Sequence, residues 1–327
     1  MSTKAEQPEL DRKSFRPYLR LARFDHVTKH VFVAPGIILA YVLHGLVNEN
    51  LLLNVVLGFV CVVCIASANY VINEWLDRDF DRHHPTKSAR VSVQVPLNPT
   101  YVYGFWILLI LIGLGAAAFA SNAMLGIACA FALQGIVYNV PPIRSKDRAF
   151  LDVLSEAVNN SFRLMIGWAM IDATTLPPGS IIVAYWLGGA FLMAAKRLSE
   201  YKEIVASHGK TLLVSYGRSF RNYTETRLLM SCFAYAISST TLFTVFMIKY
   251  RIEYILAIPF LIVLFCTYLS LSLKPQSVAQ APERLFQDRA LMIAVSVFVV
   301  ALVVLSFVNV PYLGSFTQAH YISLSAR

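Results

Sequence analysis

The chain has 327 residues, of which 57% are apolar and only 14% charged, with a net charge of +9 and a mean hydropathy of +0.59. Soluble proteins carry about 25% charged residues, so a water-soluble globular fold is excluded. The five cysteines, Cys61, Cys64, Cys129, Cys232 and Cys266, all fall inside apolar runs, where they read as small apolar residues and imply no disulfide framework.

The opening 26 residues are polar. Within them, residues 11–25 alternate bases with Phe15, Tyr18, Leu19, Leu21 and Phe24, the pattern of an amphipathic helix lying at a membrane surface. No small-residue cleavage site follows, so this segment reads as part of the mature chain rather than as a signal peptide. Nine apolar runs come next, at 27–47, 51–72, 101–120, 122–140, 151–171, 180–199, 229–249, 252–272 and 289–313. Each approaches the roughly 20 helical residues needed to cross about 30 Å of hydrocarbon. Alternating lipid-facing strands are not visible, which argues against a β-barrel. The expected fold is all-α: a polytopic membrane bundle of about nine transmembrane helices, forming one domain over 27–327.

Placing the N-terminus in the cytoplasm leaves the C-terminus outside. It also puts 24 of the 28 lysines and arginines on the inner side, counting Lys29 at the edge of the first run. That asymmetry satisfies the positive-inside rule, so the basic balance reports topology and not nucleic-acid binding. Two inner loops, 73–100 and 200–228, are long, while the outer ones are short. Loops beyond what connection requires carry function, so the working surface is expected on the cytoplasmic side. The two long loops lie four spans apart, as a weak internal duplication would place them.

The first long loop grows out of the stretch "SANYVINEWLDRDFDRHHPTKSAR" (67–90). At about 100° per residue, Glu74, Asp77 and Asp81 share one helix face with Asn73 at its edge, while Asp79 points away. Carboxylates converging in a low dielectric repel one another and call for a cation. Oxygen-only ligands suit Mg²⁺, which keeps waters and completes its shell with substrate phosphate. Arg78, Arg82, Lys87 and Arg90 follow at once, so metal ligands stand beside phosphate ligands. A charged helix end obeying the topology rule would explain the bases but not the acids.

The fifth run opens "LDVLSEAVNNSFRLMIG", which aligns Asp152, Glu156, Asn159 and Arg163 within an arc of roughly 60°. Ionisable groups inside a span face a polar cavity by default, and Arg163 is available there for an anionic group; an ion-pair ladder between helices is the structural alternative. The sixth run ends "MAAKRLSEYKEI", with Lys196, Glu200 and Glu203 on one face. A lone i,i+4 pair would be surface decoration worth a few tenths of a kcal/mol. Its place, where a duplicate of the acidic motif should fall, favours a function.

These residues resemble a known family. "NEWLDRDFD" is similar to the first aspartate-rich motif of the UbiA superfamily of membrane transferases, Asn-Asp-x-x-Asp-x-x-x-Asp. Asn73, Asp77 and Asp81 match it, with Glu74 in place of the first Asp. "YNVPPIRSKDRAFLDV" (138–153) resembles the family's loop after the fourth span, which brings in Tyr138, Arg144 and Lys146. Within the superfamily, "DRHHPTKSAR" and "AAKRLSE" look most like the decaprenyl-phosphate phosphoribosyltransferases. Asp81, His84-Pro85, Lys87 and Arg90 match the first of these patterns with one shift in spacing, and Lys196, Arg197 and Glu200 match the second. "RFDHVTKH" (23–30) is loosely similar to the motif at the first span, Lys29 being the best match.

The resemblance implies Mg²⁺-dependent departure of diphosphate from an activated donor, and attack by a lipid-linked acceptor in a bacterial plasma membrane, with the site facing the cytoplasm. Quinone and haem prenyltransferases carry a second acidic cluster, whereas this chain offers Lys196, Glu200 and Glu203 and no Asp pair. One acidic and one basic wall fit 5-phosphoribosyl transfer from phosphoribosyl diphosphate to a polyprenyl phosphate. Asp77, Asp81 and Lys196 would then be catalytic. Asn73, Glu74, Asp77 and Asp81 would hold Mg²⁺. Lys29, Lys87, Arg90, Tyr138, Arg144, Lys146, Asp152, Glu156, Asn159, Arg163, Arg197, Glu200 and Glu203 would bind substrate. Prenyl transfer from an allylic diphosphate to an aromatic or other lipid acceptor is the nearest rival. A transporter is the remote one, because transporters place charged sites at the bilayer midplane on broken helices.

Overall fold

The computed structural model describes residues 15–24, 27–46, 50–275, 277–280 and 282–317. Among these residues every regular element is helical. The α-helices are α1 (Arg16–Leu21), α2 (Ala34–His44), α3 (Leu51–Asp81), α4 (Val91–Gln94), α5 (Pro99–Ala120) and α6 (Asn122–Asn139). They continue with α7 (Leu151–Ile171), α8 (Gly179–His208), α9 (Lys210–Tyr216), α10 (Glu225–Tyr250), α11 (Ile258–Ser272) and α12 (Arg289–Phe307). All nine apolar runs become helical, and seven of the resulting segments are long and apolar enough to cross a membrane. The first run divides into a 3₁₀ turn (Val27–Val33) and the 11-residue α2, and α7 carries the charged stripe in its first half. Phe119 and Phe307, more than four-fifths exposed, show how freely apolar side chains point outward. That is the arrangement expected where lipid is the solvent.

The chain gathers into two compact units, one comprising residues 1–177 and 204–224, the other residues 178–203 and 225–327. In the first unit α3 packs along α5, α6 and α7, and α2 lies against α7. The α2–α7 approach depends on glycine. A Cβ on Gly36 would stand 1.9 Å from the Leu164 carbonyl oxygen, and one on Gly167 would stand 2.2 Å from that of Val33. Small residues let membrane helices close to backbone contact. At the far end of α7, the buried Asp172 accepts hydrogen bonds from Thr174 N, Thr174 Oγ1 and Thr175 Oγ1, and His44 Nδ1 lies 2.6 Å from its Oδ2. Burial alone would raise this carboxyl, but the hydrogen bonds outweigh it and hold it well below the usual range. The described part of the N-terminal segment is α1. It turns Pro17 and Leu21 inward, Leu21 and Ala22 packing with Trp75, Val102 and Phe105, and leaves Phe15, Leu19 and Phe24 exposed. Residues 1–14 lie outside the described residues.

In the second unit, Phe191 of α8 meets Phe265 and Tyr268 of α11 at ring separations of 4.7 and 5.8 Å. Ser239 of α10 donates to the Ala184 carbonyl. Arg251 and Tyr254 tie the turn before α11 to the end of α12 through Leu305 O, Val308 O and Ser306 Oγ.

Candidate functional site

Helix α3 has 31 residues. At 1.5 Å per residue it is about 46 Å long against roughly 30 Å of hydrocarbon. Its last turns, which carry Asn73, Glu74, Asp77 and Asp81, therefore continue past the apolar layer. Acids at a helix C-terminus oppose the macrodipole, so each must be matched by a base, and each is.

Asp77 is the most heavily matched. Its Oδ1 accepts from Arg144 Nη2 and Lys146 Nζ, both at 2.7 Å. Lys146 Nζ also donates to Asn139 Oδ1 at 2.9 Å, and the same oxygen accepts from Asn73 Nδ2 at 2.7 Å. Asn139 is fixed in turn by donating to the Gly135 carbonyl. The loop after α6 makes this possible: it turns at a cis Pro141–Pro142 bond, and Arg144 sits in the left-handed region at φ 33°. Arg144 and Lys146 are both buried. Burial pushes the Lys146 ammonium below the ordinary lysine range, more than the neighbouring Asp77 raises it. Tyr138 lies over this amine at 5.8 Å, and Phe80 under the Arg144 guanidinium at 5.2 Å.

Asp81 Oδ2 accepts from Arg90 Nη1 at 2.5 Å, and Lys87 is near enough to act on it electrostatically. The loop between them folds on His84, whose Nδ1 accepts from the backbone N–H groups of Thr86 and Lys87. The His84 ring lies 4.3 Å from that of Tyr216, and Lys87 Nζ stands 5.8 Å above the same ring. His84 thus shapes the turn that delivers both bases.

Glu74 behaves differently. Its Oε2 accepts from Arg23 Nη2 at 2.7 Å and Nε at 3.0 Å, and its Oε1 faces Ser92 Oγ at 3.4 Å. Both oxygens are engaged by protein donors. By contrast, Asp77 Oδ2, Asp81 Oδ1 and Asn73 Oδ1 have no protein donor among the described residues. Among those residues no three His, Cys, Asp or Glu side chains converge as a metal cage. Mg²⁺ ordinarily uses one or two carboxylates together with substrate phosphate, so the donor set Asn73, Asp77 and Asp81 fits that ion, while Glu74 is held by Arg23.

The α7 stripe divides in two. Asp152, fully buried, accepts from Tyr223 Oη at 2.6 Å, and the same hydroxyl accepts from Phe150 N at 2.7 Å, so this acid anchors a turn. Glu156 is half-buried without a hydrogen bond or ion pair to a described residue. Deeper in, Arg163 is 5% exposed, donates to Asn160 Oδ1 at 3.3 Å and lies 5.4 Å over Phe131. No described carboxylate pairs with it, which removes the ion-pair ladder. Lys29 likewise has no described carboxylate partner and stands 5.0 Å from the Tyr70 ring. His30 feels the charge of both cations. Arg163 Nε, Asn159 Oδ1, His30 Nδ1 and Asn69 Nδ2 are all buried without a described hydrogen-bond partner. Such groups at membrane depth call for a polar occupant.

Lys196, Arg197, Glu200 and Glu203 belong to the other unit. There Arg197 Nη1 donates to Glu200 Oε2 at 3.2 Å, and Gln280 Nε2 donates to Glu203 Oε2 at 2.8 Å and to Ser199 Oγ at 3.1 Å. Sequence reading missed Arg23, His30, Asn69, Asn139 and Ser92. Asn139 was within reach, since it follows Tyr138 in the quoted loop, and so were Arg23 and His30, which begin and end the quoted stretch 23–30; the pairing of Arg23 with Glu74, 51 residues on, has no local signal.

Residues 31–287 match the model described as the UbiA prenyltransferase family. The nodulation protein NoeC of Azorhizobium caulinodans is 24% identical over 246 residues, covering 74% of this chain and 68% of that protein. Decaprenyl-phosphate phosphoribosyltransferase of Corynebacterium glutamicum is 25% identical over 181 residues, covering 55% of this chain and about half, 52%, of that enzyme. The fold is similar to a UbiA homologue from Archaeoglobus fulgidus bound to GPP and Mg²⁺, with a TM-score of 0.64 at 21% identity over 89% of this chain and 100% of that one. It is also similar to a digeranylgeranylglyceryl phosphate synthase, with a TM-score of 0.60 at 16% identity over 89% and 98% of the two chains.

Proposed function

Because the chain belongs to the UbiA prenyltransferase family, we propose that it is a membrane transferase that displaces diphosphate from phosphoribosyl diphosphate and passes the phosphoribosyl group to a polyprenyl phosphate. The observation that carries this reading is Arg163, a buried cation within α7 without a described carboxylate partner; Lys29, at the edge of the first run, has none either. An uncompensated cation in a span is costly, and an anionic acceptor headgroup would offset that cost where a neutral aromatic acceptor would not. The similarity to decaprenyl-phosphate phosphoribosyltransferase points the same way.

Asn73, Asp77 and Asp81 would hold Mg²⁺, which when bound neutralises charge on the leaving diphosphate oxygens. Arg144, Lys146 and Arg90, now on the carboxylates, are the groups to transfer to those phosphate oxygens, with Lys87 beside them. As the C1–O bond to diphosphate breaks, C1 becomes oxocarbenium-like, as in glycosyl transfer generally. An acceptor phosphate oxygen closes the new bond and, being already anionic, needs no general base. For Lys196, Arg197, Glu200 and Glu203 the assignment to phosphate binding rests on the sequence pattern alone. The inward-facing orientation likewise rests on the charge asymmetry of the loops.

A second reading is prenyl transfer from an allylic diphosphate, favoured by the family description and by a fold neighbour bound to GPP and Mg²⁺. Purified protein supplied with labelled phosphoribosyl diphosphate plus polyprenyl phosphate, and separately with labelled polyprenyl diphosphate plus an aromatic acceptor, separates the two. Mg²⁺-dependent label in lipid from the first donor is expected. Turnover of the second donor alone overturns the ribosyl reading.

A further inference from the structure

Helix α1, the turn after it, the end of α3 and the start of α4 border an open surface pocket of about 470 Å³. Its charged lining is Arg20, Arg23, Glu74 and Arg90, with Leu19 and Phe24 as apolar walls. The charges do not balance: three guanidinium groups meet two carboxylates, Glu74 in the lining and Asp81 behind Arg90. Glu74 is taken up by Nη2 and Nε of Arg23, and Arg90 gives Nη1 to Asp81. The Arg20 side chain makes no hydrogen bond or ion pair to any described residue. Arg23 is held in the left-handed region at φ 49°, a conformation that persists in a non-glycine residue only where its surroundings demand it.

The position says which anion belongs here. Arg16 and Arg20 share one side of α1 at i and i+4, while another side buries Pro17 and Leu21, and Arg23 follows in the turn after the helix. Leu19 and Phe24 remain 44% exposed at the pocket mouth. The pocket also lies beside the last turns of α3, past the apolar layer, where headgroups lie. Basic residues beside exposed apolar ones at that depth suit a lipid phosphate.

We propose that this pocket binds the phosphate headgroup of an anionic membrane lipid through Arg20 and the spare guanidinium N–H groups of Arg23 and Arg90, the acyl chains leaving over Leu19 and Phe24. The site adjoins the carboxylates of the candidate metal site through Arg90, which also holds Asp81 Oδ2, and binding here does not depend on which donor the enzyme uses.

Full-length protein in a neutral detergent can be titrated with phosphatidylglycerol, with phosphatidylcholine of the same chains, or with glycerol phosphate, while Tm is followed. Phosphatidylglycerol should raise Tm at a much lower concentration than phosphatidylcholine. Arg20→Gln should raise its half-saturating concentration about tenfold, the loss of one charge-assisted contact, and Arg20→Lys should lose less. Val91→Trp, which fills the pocket, should abolish the response and keeps the test open if Arg20→Gln does not fold. Equal responses to the two lipids, or an Arg20→Gln variant that responds as the wild type does, would overturn the site. Glycerol phosphate acting as well as the lipid would overturn the lipid assignment in favour of a free phosphate.

Discussion

Lys146 Nζ stands 2.7 Å from Asp77 Oδ1, and Arg144 Nη2 reaches the same oxygen at the same distance. One carboxylate oxygen thus holds two cationic groups at the end of a transmembrane helix, while the other has no donor among the described residues. Asp77→Asn should therefore do two things at once. It should lower Mg²⁺-dependent turnover by about a hundredfold or more, the scale on which an electrostatic catalytic group acts. It should also cost about 2–3 kcal/mol of stability, the worth of hydrogen bonds to charged groups in a buried setting. Activity and Tm measured on one preparation check both. A stable, inactive variant would mean that the two bases find other partners, and an active one would remove Asp77 from the metal site.

Glu74 and Asp81 should part company. Glu74→Gln loses its ion pair to Arg23 and should lower stability by about 1–2 kcal/mol while leaving the Mg²⁺ requirement near that of the wild type. Asp81→Asn should raise the Mg²⁺ concentration for half-maximal rate at least tenfold. Magnesium titrations of the two variants decide it. Equal losses in both would return Glu74 to the ligand set.

That contrast marks where the sequence stops being legible. Hydropathy located the helical runs, seven of them long and apolar enough to cross a membrane, because bilayer thickness sets a length for a spanning helix, and helical spacing put Asn73, Asp77 and Asp81 on one side because that geometry is local. The role of Glu74 was not local. Its spacing fits the acidic face as well as Asp77 does, and only a contact 51 residues away turns it aside. The surroundings of Asp152 were not legible for the same reason, since Tyr223, which donates to it, lies 71 residues on. The close approach of α2 and α7 was equally silent, because a glycine in an apolar run carries no sign of what packs against it.

That approach makes a separate prediction. Gly36→Ala would drive a Cβ into the Leu164 backbone, and Gly167→Ala into that of Val33. Backbone cannot yield as a side chain can, so each should cost at least the roughly 1–3 kcal/mol of an overpacked core. Each should also displace Lys29, which sits just before α2. Gly104→Ala, with nothing within 4 Å of the added Cβ, is the matched control. Thermal unfolding in detergent should show a large fall in Tm for the first two and almost none for the third.

The buried amine of Lys146 sets a pH dependence. Burial lowers it below the ordinary lysine range, so the folded state favours the neutral amine relative to the unfolded chain. Its cost to stability is full at low pH and fades as pH rises through the folded value toward the unfolded one. If donor phosphates need the charged amine, the alkaline limb of kcat/KM for the donor should fall below the lysine value of about 10.4. Lys146→Arg, charged throughout that range, should move the limb upward. A pH–rate profile of the two proteins is the measurement, and an unmoved limb would assign it to another group.

Arg163 offers the sharpest test of the acceptor. It is buried, lies over Phe131 and has only Asn160 as a hydrogen-bond acceptor among the described residues. Replacing it with Met keeps an unbranched side chain of moderate length and removes a charge whose burial is costly, so stability should hold or rise. If the acceptor carries a phosphate, its KM should increase about tenfold or more for the loss of one charge-assisted contact, with the donor KM little changed. If the acceptor is a neutral aromatic, neither constant should move in that way. Steady-state kinetics with each substrate varied in turn would then place the cation on the acceptor or take it out of the reaction. Should the donor KM alone rise, the cation serves the leaving diphosphate, and the case for an anionic acceptor loses the observation on which it stands.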